Sequence, residues 1–205
     1  MWEMIQSGNV MMIPLGLCSL VGLAVFLERA LALRRNAIVF PEVVEVVATL
    51  GASPDFGVAN AILARKPGPF ATIVRAGLDH ANDDWTIVRD VLQEAGRQEA
   101  VRISRNLNVL ETVAAVAPLL GLLGTVTGMI RVFAVVNQAG LGNPEVLSGG
   151  ISEAMITTAA GLIIGIPSLV AYNWLRGRAD GIIFELEQNA TTLLGSLRRR
   201  KREGI

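Results

Sequence analysis

Four side chains in this sequence are suited to handing on a proton or a cation: the hydroxyls of Thr125, Thr157 and Thr158 and the carboxyl of Glu153. Each lies in, or directly beside, a long run of uncharged residues. A carboxyl in apolar surroundings is pushed toward its neutral form, because burial penalises the charge. Hydroxyls donate and accept hydrogen bonds at once, so a row of them can line a hydrated path. An ionisable group bordering a membrane-length apolar run is therefore a functional candidate. Two plainer readings stand beside this one. Glu153 can pair with Arg131 as an interfacial anchor between helices. A threonine within a span often only bonds back to a carbonyl one turn away.

Other chemistries find little support in the residues. There is one cysteine, Cys18, and one histidine, His80, which excludes an internal disulfide and a zinc site built from these two types. No nucleophile elbow, phosphate loop or paired-carboxylate motif occurs. No enzyme activity, cofactor, metal or nucleic-acid partner is expected.

The elements that must position the four side chains are hydrophobic. The chain has 205 residues, 52% of them apolar and only 5% aromatic, with a mean hydropathy of +0.50 and a formal net charge of +0. That charge balance hides segregation: residues 4–27, 112–130 and 154–175 carry no charge at all. A bilayer core asks for roughly 20 such residues per helix, so each run is long enough to span. The sequence predicts an all-α membrane protein with three transmembrane helices. The N-terminus, MWEMIQSGN, is acidic, and Glu28-Arg29 follows the first run, which favours a retained helix over a cleaved signal.

Basic residues set the expected orientation. Lys and Arg are absent before Arg29, cluster between the first two runs, are absent from 137–150, and return at Arg176, Arg178 and Arg198–Arg202. The positive-inside rule then puts the N-terminus outside, residues 36–107 and the C-terminus in the cytoplasm, and a short loop outside. Trp2 and Trp174 suit opposite interfaces.

The cytoplasmic stretches read as helical. Pro41 opens a short helix that Gly51–Pro54 breaks, and others are expected over 57–65 and 70–81. Asp83 or Asp84 caps a further start. The periodicity from Trp85 onward predicts one helix over about 84–136, with Pro118 as a candidate kink. The third span likewise continues to Leu193, so the second and third spans extend into a helical cytoplasmic stalk. The expected organisation is 1–35, an outer segment with the first span; 36–107, a cytoplasmic helical region; 108–178, a core of two spans; and 179–205, a C-terminal helix with a basic tail.

Within the core, small residues recur four apart at Gly124 and Gly128 and at Gly161 and Gly165, with Gly121, Pro118 and Pro167 nearby. This spacing lets helix backbones approach closely in lipid, within one subunit or between subunits. Helical rise places Thr125 roughly 9 Å below Arg131 and Thr158 roughly 7–8 Å below Glu153. The threonines thus form a polar layer beneath an ionisable one.

The runs Gly121-Leu122-Leu123-Gly124-Thr125-Val126-Thr127-Gly128-Met129 and Ile151-Ser152-Glu153-Ala154 through Thr158-Ala159-Ala160-Gly161-Leu162, with Pro118 and with Ile166-Pro167 before Ala171-Tyr172-Asn173, resemble the MotA/TolQ/ExbB proton channel family over about 100–178. The likeness is to its ExbB/TolQ branch above all. It implies an inner-membrane homopentamer around a pair of single-span ExbD/TolR-like subunits, working with a TonB- or TolA-like protein and driven by protons. The partner's span would supply an essential aspartate. Thr125 and Thr158 match the family's path-lining threonines, and Glu153 its outer glutamate. Thr157, Thr127 and Arg131 stand where relatives often carry a small apolar residue, tryptophan and histidine. A non-conducting scaffold and a MotA-like stator are the alternatives, although the stator relatives have four spans. Broken helices or inverted repeats, which a small-molecule transporter would need, are not seen.

The orientation is testable with single cysteines in a Cys18→Ser background. A membrane-impermeant maleimide added to intact cells is expected to label Gly142→Cys, and to label Arg200→Cys only after lysis. The reverse pattern overturns the topology.

Overall fold

The computed structural model describes residues 10–34, 38–50, 56–139 and 144–203. Among these residues every regular element is a helix. They are α1 (Met12–Ala32), α2 (Pro41–Thr49), α3 (Gly57–Arg65), α4 (Pro69–Asp79), α5 (Trp85–Ser104), α6 (Leu107–Ala139) and α7 (Pro144–Glu203). Three helical stretches are long and apolar enough to cross a membrane: Met12–Ala32, Trp85–Asn137 and Leu147–Lys201. The all-α, three-span reading therefore holds. Trp2 and the rest of the expected N-terminal outer segment up to residue 9, and Gly51–Pro54, lie outside the described residues.

The chain forms two compact units. One comprises the chain up to Arg29 with Asn106–Trp174; the other comprises Ala30–Arg105 with the chain from Leu175. The 60-residue helix α7 contributes to both.

In the first unit α6 and α7 pack antiparallel along a seam of small residues. A Cβ on Gly161 would fall 2.6 Å from the Ala117 carbonyl and 3.0 Å from Gly121 Cα, and one on Gly121 would fall 2.9 Å from the Thr157 carbonyl. Neither backbone nor carbonyl can yield at those distances, so glycine is required at both positions. Further along, Gly124 meets Thr157, Gly128 meets Ala154, and Gly150 meets Val132. Pro118 stays inside α6, and its ring fills the space beside Gly165, where an added Cβ would lie 2.6–2.7 Å from it. Pro167 likewise stays inside α7. The helix α1 joins where Gly22 meets Val113, Ser168 and Leu110.

The second unit has a core like that of a water-soluble bundle. Phe70, Ile73 and Val74 of α4, Val43 and Val47 of α2, Leu63 of α3, Leu92 of α5 and Leu175, Leu186 and Leu193 of α7 are buried. At Gly77, a Cβ would lie 2.9 Å from Leu92 and 3.1 Å from Leu193, so α4 approaches both neighbours there. The local starts follow the sequence. Pro41 and Pro69 each open a helix. Asp84 caps α5 by accepting from the Trp85 N–H at 2.8 Å. In the first turn of α2, its own backbone N–H and the Lys66 ammonium at 3.4 Å hold the Glu42 carboxyl below the usual range. The basic tail is engaged: Arg198 lies over the Trp85 ring, Arg200 over Phe56, and Lys201 donates to the Asp83 carbonyl at 2.7 Å.

Two expectations are corrected. The single helix over 84–136 is two, interrupted at Arg105–Asn106. Asn106 has φ 62°, in the left-handed region that ends a right-handed hydrogen-bond ladder. Its side chain donates to the Glu28 carboxylate at 3.1 Å, and Glu28 also accepts from Arg29 at 2.8 Å. Periodicity continues across the break because the apolar faces before and after it are both buried, so no local signal marks it. Helix α4 also stops at Asp79, short of 81, where His80 Nδ1 sits 3.0 Å from the Ala76 carbonyl.

Two substitutions test these constraints by thermal unfolding in detergent. Gly161→Leu is expected to destabilise by at least about 1–3 kcal/mol through overpacking, whereas Gly16→Ala, with nothing within 4 Å, is expected to be neutral. Asn106→Val is expected to cost about 1–2 kcal/mol for the left-handed backbone, while Asn106→Gly keeps the backbone and loses only the Glu28 contact. Equal effects of the two changes at Asn106 would exclude backbone conformation as the cause.

Candidate functional site

The seam sets the height of every candidate side chain. Contacts at Gly121 and Gly124 put Thr125 of α6 level with Thr158 of α7. Their hydroxyls meet: Thr158 Oγ1 lies 3.3 Å from Thr125 Oγ1 and 3.1 Å from the Gly121 carbonyl. Thr125 donates to the Leu122 carbonyl of its own turn at 2.6 Å. Its proton is thereby committed, and its lone pairs are what it presents to Thr158. The Thr158 hydroxyl chooses between a carbonyl and a second hydroxyl, both on the facing helix. Both threonines are half-buried, at one edge of the seam.

Thr157 is placed differently. It is 1% exposed, its hydroxyl donates to the Ala154 and Glu153 carbonyls at 2.8 and 3.1 Å, and its methyl and hydroxyl fill the space beside Gly124. The structure brings Thr125 and Thr158 together and leaves Thr157 enclosed between the helices. Thr127 bonds back to Leu123 and Gly124 in the same way, at 2.9 and 3.1 Å.

The ionisable layer is bracketed by the Gly128–Ala154 and Val132–Gly150 contacts, which place Arg131 and Glu153 at similar heights. Among the described residues no ion pair joins them. Arg131 is exposed and Glu153 half-buried. Five positions separate Glu153 from Thr158, which is about 140° around a helix with 3.6 residues per turn. Glu153 therefore stands above the hydroxyl pair and on another side of α7. The described residues contain no cluster of His, Cys, Asp or Glu able to hold a metal ion.

Sequence reasoning missed the hydroxyl-to-carbonyl bond across the seam, from Thr158 to Gly121. Depth arithmetic placed Thr125 and Thr158 at one level, but it could not say which face each occupied. The signal was present in the glycines, since a backbone carbonyl is reachable from a neighbouring helix only where no Cβ stands between.

A family model described as the MotA/TolQ/ExbB proton channel family matches residues 65–188, which include the whole of α6 and the paired part of α7. The chain is 35% identical over 180 residues to the biopolymer transport protein ExbB-like 1 of Synechocystis, covering 82% of this chain and 68% of that one. It is 30% identical over 178 residues to ExbB-like 3 of the same organism, covering 83% and 82%. It is 38% identical over 88 residues to the Tol-Pal system protein TolQ of Haemophilus influenzae, covering 43% and 39%. With three membrane-length helices, and with the glycine seam and the paired hydroxyls inside the matched span, this multi-pass membrane protein belongs to the MotA/TolQ/ExbB proton channel family.

Proposed function

We propose that this chain is the channel subunit of a proton-driven motor of the ExbB/TolQ kind, in a bacterial inner membrane with its N-terminus periplasmic and its C-terminus cytoplasmic. Five copies would surround a pair of single-span ExbD/TolR-like subunits, and a TonB- or TolA-like protein would take up the work. The observation that carries the reading is the hydroxyl pair Thr125–Thr158, held at hydrogen-bond distance by a seam that only glycine permits.

The chemistry follows from what the pair can offer. Thr125 presents lone pairs, and Thr158 has a proton it can redirect from the Gly121 carbonyl. A carboxylic acid carried on a partner helix could donate to the first. After losing its proton, the resulting carboxylate could accept from the second. Burial raises the affinity of such a carboxyl for its proton, so the neutral form moves past apolar walls and the charged form stops at the hydroxyls. The two long spans have no acid at mid-depth between Glu111 and Arg131 or between Glu153 and Arg176. The acid must then come from elsewhere, which is the physical argument for a partner. Glu153 would act at the outer mouth, where a carboxylate raises the local concentration of cations. Thr157 is assigned to the seam, because its hydroxyl is satisfied within α7 and enclosed.

A scaffold without conduction is favoured by one observation, the bond from Thr125 to the Leu122 carbonyl, since such back-bonding satisfies a hydroxyl with no further role. The threonine series separates the readings. Thr158→Val and Glu153→Ala are expected to reduce proton-driven function to background while the protein still assembles, and Thr158→Ser to restore most of it. Thr157→Val, nearly isosteric, is expected to leave function close to normal. Full activity in Thr158→Val would support the scaffold. Coexpression with the adjacent single-span subunit is expected to give a five-plus-two mass by native mass spectrometry, and a lone monomer or dimer would count against the motor.

A further inference from the structure

The first unit carries a groove of ≈ 810 Å³ between α1 and α7, floored by Leu110 at the start of α6. Part-way along it Gly22 meets Val113 and Ser168. Below that contact α1 and α7 present larger side chains, and the Phe26 and Trp174 rings stand 6.4 Å apart at the lower end. The walls are Leu23 and Phe26 on one side and Ile163, Ile166, Val170 and Trp174 on the other. These wall residues of α7 are exposed in the chain, from 51% at Trp174 to 72% at Ile163.

We propose that this groove is a phospholipid site, holding one acyl chain from the leaflet on the Trp174 side. Length supports it. From Ile163 to Trp174 the groove runs roughly 16 Å along α7 at ~1.5 Å per residue, and half of a hydrocarbon core is about 15 Å. Depth supports it too. The uncharged stretch 154–175 has its middle near Ile164, so the groove begins at the midplane and ends at an aromatic pair at headgroup level. Chain walls decide between lipid and protein as the occupant. Helices associate in lipid through small residues that let backbones meet. Here the closest backbone-to-backbone approaches, at Gly121 and Gly161, lie in the α6–α7 seam, away from the groove. The groove walls are bulky and branched, a surface that flexible methylenes can follow. Ser19, Ser168 and Ala171 are the short side chains that make the concavity, and Ser168 satisfies its hydroxyl on the Ile164 carbonyl at 2.7 Å, which leaves the floor without an unpaired hydroxyl there. The site requires that the chain span a membrane and does not depend on the proton reading.

The test uses the full chain in detergent with Trp2→Phe and Trp85→Phe, so that Trp174 is the sole tryptophan. Phosphatidylcholine brominated at mid-chain is added in small molar ratios. Quenching of Trp174 is expected to saturate near one lipid per chain, and at a several-fold lower ratio than quenching of Leu20→Trp placed on the exposed face of α1 in a Trp174→Phe background. Ala171→Phe, which fills the groove, is expected to bring Trp174 back to the behaviour of that control. If Ala171→Phe does not fold, retention of one phospholipid per chain through purification, read by native mass spectrometry, takes its place. Equal, unsaturating quenching at the two positions would mean surrounding lipid only and overturn the site. Protection of Trp174 from quenching would mean that a second protein segment covers the groove, and would overturn it equally.

Discussion

The structure depends on how closely two backbones approach inside the membrane. Lipid tails are as apolar as leucine, so burial of apolar surface gives α6 and α7 little reason to associate. What remains is van der Waals contact and hydrogen bonding, both of which fall off steeply with distance. At Gly121 and Gly161 the helices meet backbone to backbone, with carbonyls standing where a Cβ would be. Glycine in a helix interior costs roughly 0.5–1 kcal/mol relative to alanine, and a seam of such residues is intelligible only if the contact returns more than that. The same contact fixes register, and register fixes which side chains share a level. Thr158 reaches the Gly121 carbonyl because nothing stands in front of it. The polar site is in this sense a by-product of the seam.

The second unit obeys the rules of water. Its core is aliphatic and aromatic, α2 and α4 start on proline and α5 on a capping aspartate, and charges pair at its surface. Glu99, 3% exposed, is paired with Arg102 at 2.9 Å, so the buried carboxylate is not left alone. The tail, which by composition is a simple run of positive charge, lays two guanidinium groups over aromatic rings. Here a charge run is part of the packing. Between α5 and α6 the ladder ends at Asn106, a residue whose short polar side chain tolerates the left-handed conformation and finds the Glu28 carboxylate. The bond ties the start of α6 to the end of α1 within the first unit.

Hydropathy and charge made the spans legible, because both are properties of composition over twenty residues and need no knowledge of neighbours. Helix starts were legible too, since proline and aspartate act on their own first turn. The family likeness rested on motifs in α6 and α7 and is carried by the match over 65–188. Three things were not legible. Asn106 interrupts a periodic pattern without glycine or proline. Thr157 and Thr158 are adjacent in sequence and similar in type, yet one is enclosed and the other faces a hydroxyl. Arg131 and Glu153 share a height without forming a pair.

The sequence alone determined the number of apolar helices, their polar termini, the small-residue spacing and the depth of each hydroxyl, because rise per residue and transfer energy are local quantities. Only the tertiary structure decided which threonine meets which. That outcome turns on the rotation of one helix against another, and rotation is set by the summed contacts of the whole seam. Two neighbouring residues on a helix point about 100° apart, so a choice that no single position records separates a hydroxyl in the packing from a hydroxyl at the site.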